Sequence, residues 1–589
     1  MSDGILSSEE IESLRREVRL NGWDNGFPKF LHNTSSEKFS LISCMIGEGQ
    51  VGWKFLLDLS RLRKVLIFDT TLGTVTESLA PNCETVYTIN PDQRILECIG
   101  ERLKEKRINN VRLLQCSKTK HLPFGDSFFD LIVLHDAETI LPFIGMDPLK
   151  PKDLLAWLIR EVTRTLHPAG VMFFSFQNRY GFHRIMKRFT GELDGYLTRN
   201  EKKVFTLSKV KGILRRAGLK YQRIYSVYPS LLNLKKLVGI RSFENSEKTL
   251  HFRHYLRDRL LNSGVFSPAF IVLASRRACR SFLDSFIQEV LTGDGRCRLQ
   301  KYIVGTTVIV VAHSVNEKGN QSKFVIRLPV TEEAKTYCNH STEVVKELKQ
   351  LDDSISSRIP QPLEEGIYMN QPFFVETKLN GVAIDDPGSI FEQTFHDAID
   401  FIIDLHQKTA RRYKVDNALF DRLFLSYLKS FRDLLNKTVL NGSASLDTYL
   451  RKKLYGEEIP LVLQHGDLKL ENILLDPETA AINGIIDWDL AELNGLPLLD
   501  IFHLLASRRR VLERRGLEDI ITDIIIPLNF SNWEKEVFQK YMETLGIERR
   551  LLAPFAVLYW LHHINKRIRL NFMKKHPVWI EKNIVRPFK

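Results

Sequence analysis

The stretch His465-Gly466-Asp467-Leu468-Lys469-Leu470-Glu471-Asn472, followed by Ile485-Ile486-Asp487-Trp488-Asp489, decides the reading of the C-terminal half of the chain. An Asp and an Asn stand five positions apart, and a second Asp follows fifteen residues after the Asn, behind an apolar run. Leu461-Val462-Leu463 and Ile473-Leu474-Leu475 flank the polar loop and predict strands on either side of it. A lone Asp or Asn in such a loop is ordinarily a turn or cap residue. Here the spacing, the flanking strands and the second acidic strand end agree on something more specific. Phosphoryl transfer from a nucleotide needs an Asp to orient the acceptor hydroxyl, and Asn and Asp oxygens to hold Mg²⁺ on the phosphates. Mg²⁺ takes few ligands from protein, so a sparse set of this kind is sufficient.

The pattern H-G-D-x-x-x-x-N followed by I-I-D-W-D resembles that of the aminoglycoside phosphotransferase and choline kinase group of small-molecule kinases. The resemblance covers roughly residues 285–589. It implies a bilobal, protein-kinase-like α+β fold that uses ATP and Mg²⁺, with Asp467 as general base and Asn472 and Asp487 as Mg²⁺ ligands. Lys469 stands where protein kinases carry a Lys two residues after the catalytic Asp, which implies contact with the transferred phosphate. Leu468-Lys469-Leu470-Glu471 departs from the group's usual Leu-His-Pro-Gly. Lys323-Phe324-Val325-Ile326-Arg327-Leu328-Pro329 resembles the third small-lobe strand, whose end carries the cation for the α- and β-phosphates. Arg327 takes that position, with Lys323 as the alternative. Glu343 is expected to orient the cation, with Glu347 one turn away on the same face. Gly305 is the expected phosphate-loop glycine, although a glycine between two strands also suits a plain hairpin turn. Pro360-Gln361-Pro362 resembles the approach to the adenine-binding hinge. His406 reads as structural, His465 as a residue shaping the loop, Asp489 as support for the site, and Asp500 as a brace for the loop.

The N-terminal half alternates short apolar strands (64–68, 85–89, 111–115, 129–134 and 170–176) with amphipathic helices such as 91–106 and 154–166, which predicts a parallel α/β sheet. A helix over 208–217 and a strand over 268–275 close the domain. Val65-Leu66-Ile67-Phe68-Asp69-Thr70-Thr71-Leu72-Gly73 resembles the first strand and turn of class I S-adenosylmethionine methyltransferases. Further resemblance lies in Leu122-Pro123-Phe124 and Leu166-His167-Pro168-Ala169-Gly170, and the whole covers about residues 40–278. It implies a Rossmann-like, doubly wound, mostly parallel sheet. Glycines in such a turn let the backbone approach the cofactor, and acids at strand ends bind its ribose. Asp69 and Thr71 replace two of those glycines and only Gly73 remains. Asn90 and Ser117 replace strand-end acids, with Asp92 as a shifted substitute. The expectation is a degenerate domain serving as scaffold, with S-adenosylmethionine binding doubtful. Asn178-Arg179-Tyr180-Gly181 resembles a segment of methyltransferase domains from surface-polysaccharide gene products, so a bifunctional kinase–methyltransferase capping a polysaccharide is the first rival. A non-catalytic scaffold at a membrane is the second.

The expected layout is a helical extension over 1–60, a methyltransferase-like domain over 61–279 with a basic, irregular insertion at about 232–265, a small lobe over 280–380 and a helical lobe over 381–589. With 589 residues the chain exceeds one ordinary core. Seven scattered cysteines without C-x-x-C spacing predict reduced thiols and no zinc site. No apolar run reaches the roughly 20 residues of a bilayer span. The start resembles no signal peptide, so a cytoplasmic location is expected. The net charge of +13 concentrates in Arg508-Arg509-Arg510, Arg514-Arg515 and 566–575. It predicts either a solvated basic face or peripheral contact with an anionic membrane, with Phe572 and Trp579 among the charges. No nucleic-acid motif is present, and the expected partner is a small-molecule or glycan acceptor.

Overall fold

A computed structural model describes residues 5–116, 121–144, 151–181, 205–239, 266–292, 296–315, 321–383, 391–425, 427, 437–570 and 577–585. The chain forms two compact units: Met1–Lys335 with Glu364–Val375, and Thr336–Leu363 with Glu376–Lys589.

The first unit is built on one thirteen-stranded sheet. Its parallel part comprises β1 (Lys64–Phe68), β2 (Thr85–Asn90), β3 (Val111–Gln115), β4 (Phe129–Leu134) and β5 (Leu166–Gln177), in the order β5-β4-β1-β2-β3. β1 from Val65 and β4 from Leu131 are wholly buried, as their apolar runs require when helices cover both faces of a sheet. Helices Gln93–Glu105 and Pro151–Thr165 fall close to where the sequence predicts them. β6 (Tyr221–Pro229), β7 (Leu234–Gly239) and β8 (Ala269–Ser275) extend the sheet, with β8 antiparallel between β5 and β6.

The sheet does not stop there. β7 pairs with β9 (Arg296–Ile303) through Lys236 opposite Ile303 and Leu237 opposite Tyr302. β10 (Thr307–Val315), β11 (Gln321–Pro329), β13 (Gln371–Thr377) and β12 (Pro362–Tyr368) continue it to the far edge. One apolar cluster runs from Trp53, Phe55 and Val65 through Phe282 and Phe286 to Val308, Ile326 and Phe373. Tyr302 donates its hydroxyl to Gly52 O at 2.6 Å inside this cluster.

Three expectations change. The expected boundary at 279/280 does not separate compact units, because β7·β9 pairing and a shared core carry the small-lobe strands on the same sheet. The supposed irregular insertion begins with an ordered strand, β7, while 240–265 lies outside the described residues. The N-terminal extension holds three helices, Ser8–Asn21, Trp23–His32 and Ser36–Ile46, followed by 3₁₀ turns over Glu48–Leu56. The sequence pattern predicts helical stretches over 7–20 and 51–62 there, so the second and third helices and the 3₁₀ form of the last segment are new.

The second unit is mainly helical around its own apolar core, which includes Leu405, Phe420, Trp488, Phe502, Tyr541 and Tyr559. Its strands form two three-stranded sheets. β14 (Val382–Ala383) pairs with β17 (Ile473–Leu475), which pairs with β18 (Ile482–Ile485). β15 (Arg411–Lys414) and β19 (Glu492–Gly495) flank β16 (Glu458–Gln464). β16 is buried from its second residue onward and leads directly into the polar loop.

Candidate active site

The loop after β16 is held from beneath by Asp500, in the first turn of helix Leu499–Glu513. Asp500 accepts the His465 N–H at 2.6 Å and the Gly466 N–H at 2.9 Å, one on each carboxylate oxygen. Burial opposes its ionisation, but His406, with Nε2 at 3.3 Å, and the two amides outweigh burial and hold the carboxyl below its ordinary range. His406 bonds the Tyr541 hydroxyl through Nδ1, and that hydroxyl also accepts the Leu498 N–H. Gly466 is required here: its φ is +77°, and an added Cβ would lie 2.0 Å from Leu490 O. His465 packs against Trp488, donates from Nε2 to Ile486 O at 3.1 Å and accepts the Asp467 N–H on Nδ1. Those two bonds define a neutral ring, and burial lowers its pKa accordingly.

This scaffold presents Asp467 with three partners on its carboxylate. Lys469 Nζ donates at 2.7 Å to one oxygen, Lys566 Nζ at 2.6 Å to the other, and His503 Nε2 lies 3.3 Å from that second oxygen. Burial would raise the Asp467 pKa, but His503, Lys566 and Lys469 together hold it far below the usual carboxylate range. Lys469 is itself raised, because Asp467 outweighs the burial of its ammonium. Asn472, buried behind the loop, donates to Asp467 O at 3.0 Å and lies 3.5 Å from the Asp487 carboxylate. Asp487 is exposed with φ +71°, a left-handed backbone that Asp tolerates better than most side chains and that marks functional turns. An exposed carboxylate beside a carboxamide is a hard, oxygen-bearing donor pair of the kind that suits Mg²⁺. Among the described residues no group of three His, Cys, Asp or Glu side chains gathers into a richer metal site.

The structure therefore brings Asp467, Lys469, Asn472 and Asp487 together. The sequence reading missed His503 and Lys566 as partners of Asp467. His503 follows Asp500 by three residues on one helix, so a single turn from the brace was an available signal. Lys566 had only a misleading signal, since it begins a basic run that reads as surface. The other expected residues lie on other elements. Arg327 is buried near the end of β11, and Gly305 occupies the turn between β9 and β10 with a φ that any residue adopts. Glu343 and Glu347 are both exposed on helix Glu332–Leu348. Three arginines of the basic run are used within the unit: Arg509 pairs with Glu534, Arg510 with Glu471 and Arg515 with Asp523. Phe572, Lys574 and Lys575 lie outside the described residues.

In the first unit, the turn after β1 is closed on itself. Asp69 is 2% exposed and accepts the Thr71 N–H at 2.8 Å, the Gly73 N–H at 3.1 Å and the Thr76 hydroxyl at 3.2 Å. Gly73 has φ +88° and begins helix Thr74–Leu79. Asn90 donates its amide to Asp69 O. Asp92, the shifted acid, caps helix Gln93–Glu105 and pairs with Arg94 at 2.7 Å. Ser117 lies outside the described residues. The amides that would face a cofactor carboxylate already hold one, so these residues do not fit S-adenosylmethionine.

Residues 314–523 match the model of a phosphotransferase enzyme family, and residues 70–174 match that of a methyltransferase domain. The chain thus joins a methyltransferase-type domain to a phosphotransferase domain, and both fold classes read from the sequence hold. Among curated proteins it is similar to acyl-CoA dehydrogenase family member 11 of Mus musculus, with 23% identity over 42% of this chain and 30% of the relative. The Rattus norvegicus protein of that name matches at 28% identity over 17% of this chain and 13% of the relative. The chain therefore spans less than a third of the length of these relatives. Among solved structures, an aminoglycoside phosphotransferase from Streptomyces rimosus matches at 16% identity, covering 48% of this chain and 97% of that one, with a TM-score of 0.30. A methyltransferase from Aquifex aeolicus matches at 15% identity over 39% of this chain and 90% of that one, with a TM-score of 0.24. Among the described residues no helix is long and apolar enough to cross a membrane.

Proposed function

We propose that the chain is an MgATP-dependent phosphotransferase acting on a hydroxyl of a sugar, glycan or other polar small molecule, with the methyltransferase-type domain as its scaffold. The observation that carries this reading is the convergence of Lys469, Asn472 and Asp487 around a single Asp467 on a braced loop. In the proposed step the acceptor hydroxyl donates to Asp467. Its oxygen bonds to the γ-phosphorus as the bond to the β,γ-bridging oxygen breaks; ADP leaves, and the hydroxyl proton passes to the Asp467 carboxylate. A carboxyl held so far below its usual range is a weak base. That suits a loose transition state, in which the hydroxyl needs orientation early and loses its proton late. Lys469 stays charged beside the path of the phosphoryl group and would stabilise the charge that develops there. Asn472 and Asp487 would hold Mg²⁺, which neutralises phosphate charge when bound. Arg327, always ionised and able to bind phosphate bidentately, is assigned to the α- and β-phosphates.

The test is phosphate transfer from labelled ATP to a panel of polyols, measured on the whole chain and on Asp467→Asn. Loss of a positioned acid–base group costs roughly 10²–10⁴-fold in rate. Turnover that survives Asp467→Asn, or that is absent with every acceptor, would refute the assignment.

A further inference from the structure

Beside Asp467 lies a small cleft between helices Leu499–Glu513 and Leu552–Leu570, lined by Gln464, His503, Tyr559, His562, His563 and Lys566. Lys566 brings a positive charge to its wall. Lys566, three residues beyond His563 and therefore on the same helix face, reaches both Gly466 O at 2.7 Å and Asp467. Arg567 and Lys469 add positive potential around Lys566. Of the residues lining the cleft the carboxylate is Asp500, and both its oxygens are taken by backbone amides.

Two further atoms in the cleft lack partners. Gln464 Oε1 and His563 Nε2 are buried without a hydrogen bond, on residues 1% and 4% exposed. Burial and the surrounding cations push His563 well below its ordinary pKa, so the ring is neutral. Unsatisfied buried polar atoms are costly, and here they lie beside the catalytic carboxylate, where a ligand would supply the missing bonds. An oxygen acceptor on Gln464 and a neutral imidazole suit hydroxyl groups; an ammonium on Lys566 suits an anion.

We propose that this cleft is the acceptor site and that it selects an anionic polyol, a hydroxylated molecule bearing a phosphate or carboxylate, whose anion takes Lys566 from Asp467. The exchange has a mechanical consequence: Lys566 moves to the anion, and the Asp467 oxygen it leaves, still faced by His503 Nε2 at 3.3 Å, accepts the substrate hydroxyl. The site is thereby completed only by an acceptor of the right charge. This rests on the phosphotransferase reading and narrows it, setting the acceptor apart from polycationic sugars.

The experiment is calorimetric titration of the MgADP-saturated whole chain with four matched probes: glucose phosphate, glucuronate, glucose and glucosamine. At least one anionic probe is expected to bind about tenfold or more tightly than glucose, and glucosamine most weakly. Lys566→Met should erase that preference while leaving MgADP affinity unchanged, and Lys566→Arg should retain it. Should Lys566→Met fail to fold, the order of the four probes on the unmodified chain still decides. Glucosamine binding as tightly as the anions, an unchanged preference in a folded Lys566→Met, or no binding of any probe at millimolar concentration would overturn the proposal. Failure of the chain to bind MgADP at all would instead refute the phosphotransferase reading.

Discussion

Two aspartates in this chain follow buried strands and enter polar turns, yet they end in opposite situations. Asp69, after β1, is sealed: its carboxylate is held by the backbone amides of its own turn and by Thr76. Asp467, after β16, is held by the ends of two lysines and a histidine, and its side chain keeps 18% of its surface in solvent. A carboxylate bound by backbone amides cannot change partner without remodelling the turn. One bound by lysine ammoniums can, because those side chains rotate on flexible stems. The difference separates a structural Asp from a reactive one more clearly than burial alone. Asp500 makes the same point within the second unit, where amide bonds to a buried carboxylate fix the loop that leaves Asp467 open.

The largest effect that would sharpen this contrast is a crossover. Asp69→Ala leaves two buried amides unsatisfied and should cost about 2–4 kcal/mol of stability in denaturant unfolding. Phosphate transfer per folded molecule should be preserved. Asp467→Asn should do the reverse, remaining folded while transfer collapses. Loss of transfer in a fully stable Asp69→Ala protein would break the comparison.

A smaller effect concerns Glu138, buried in the first turn of helix Ala137–Ile144 that follows β4. Burial first, then Asp136, raise its carboxyl well above the ordinary value of 4.5. The folded state therefore keeps a proton that the unfolded chain gives up once the pH passes 4.5. Stability falls as the pH climbs from there towards the folded pKa. Glu138→Gln retains an acceptor for the Gln177 N–H and should raise the melting temperature more at about pH 8 than at about pH 5, a difference of order 1 kcal/mol. An equal gain at both pH values would show that Glu138 is not protonated in the fold.

Much of this was legible in the residues. The apolar runs Val65–Phe68 and Leu131–Leu134 and the H-G-D-x-x-x-x-N spacing each carry local information, and the structure places those elements and side chains accordingly. What escaped reading depends on distant pairing. β7 is only six residues long, with two lysines in its middle, and acquires meaning through its bonds to β9, about sixty residues later. Nothing local could reveal that the small-lobe strands continue the Rossmann-like sheet, so the boundary near residue 280 fell inside a shared core. Lys566 escaped for the same reason: it meets Asp467 across 99 residues, and its basic neighbours predict a solvated face. The replacement of a turn glycine by Asp69 was visible in the sequence, but the bonds its carboxylate makes to the Thr71 and Gly73 amides needed coordinates.

The proposal is that Asp467 serves a nucleotide site while Asp69 blocks a cofactor turn. Its most direct test is a pair of calorimetric titrations of the whole chain, one with MgATP and one with S-adenosylmethionine. The account predicts saturable heat with MgATP, weakened by Asp487→Ala, and none with S-adenosylmethionine. Saturable binding of S-adenosylmethionine, or the absence of MgATP binding, would contradict it.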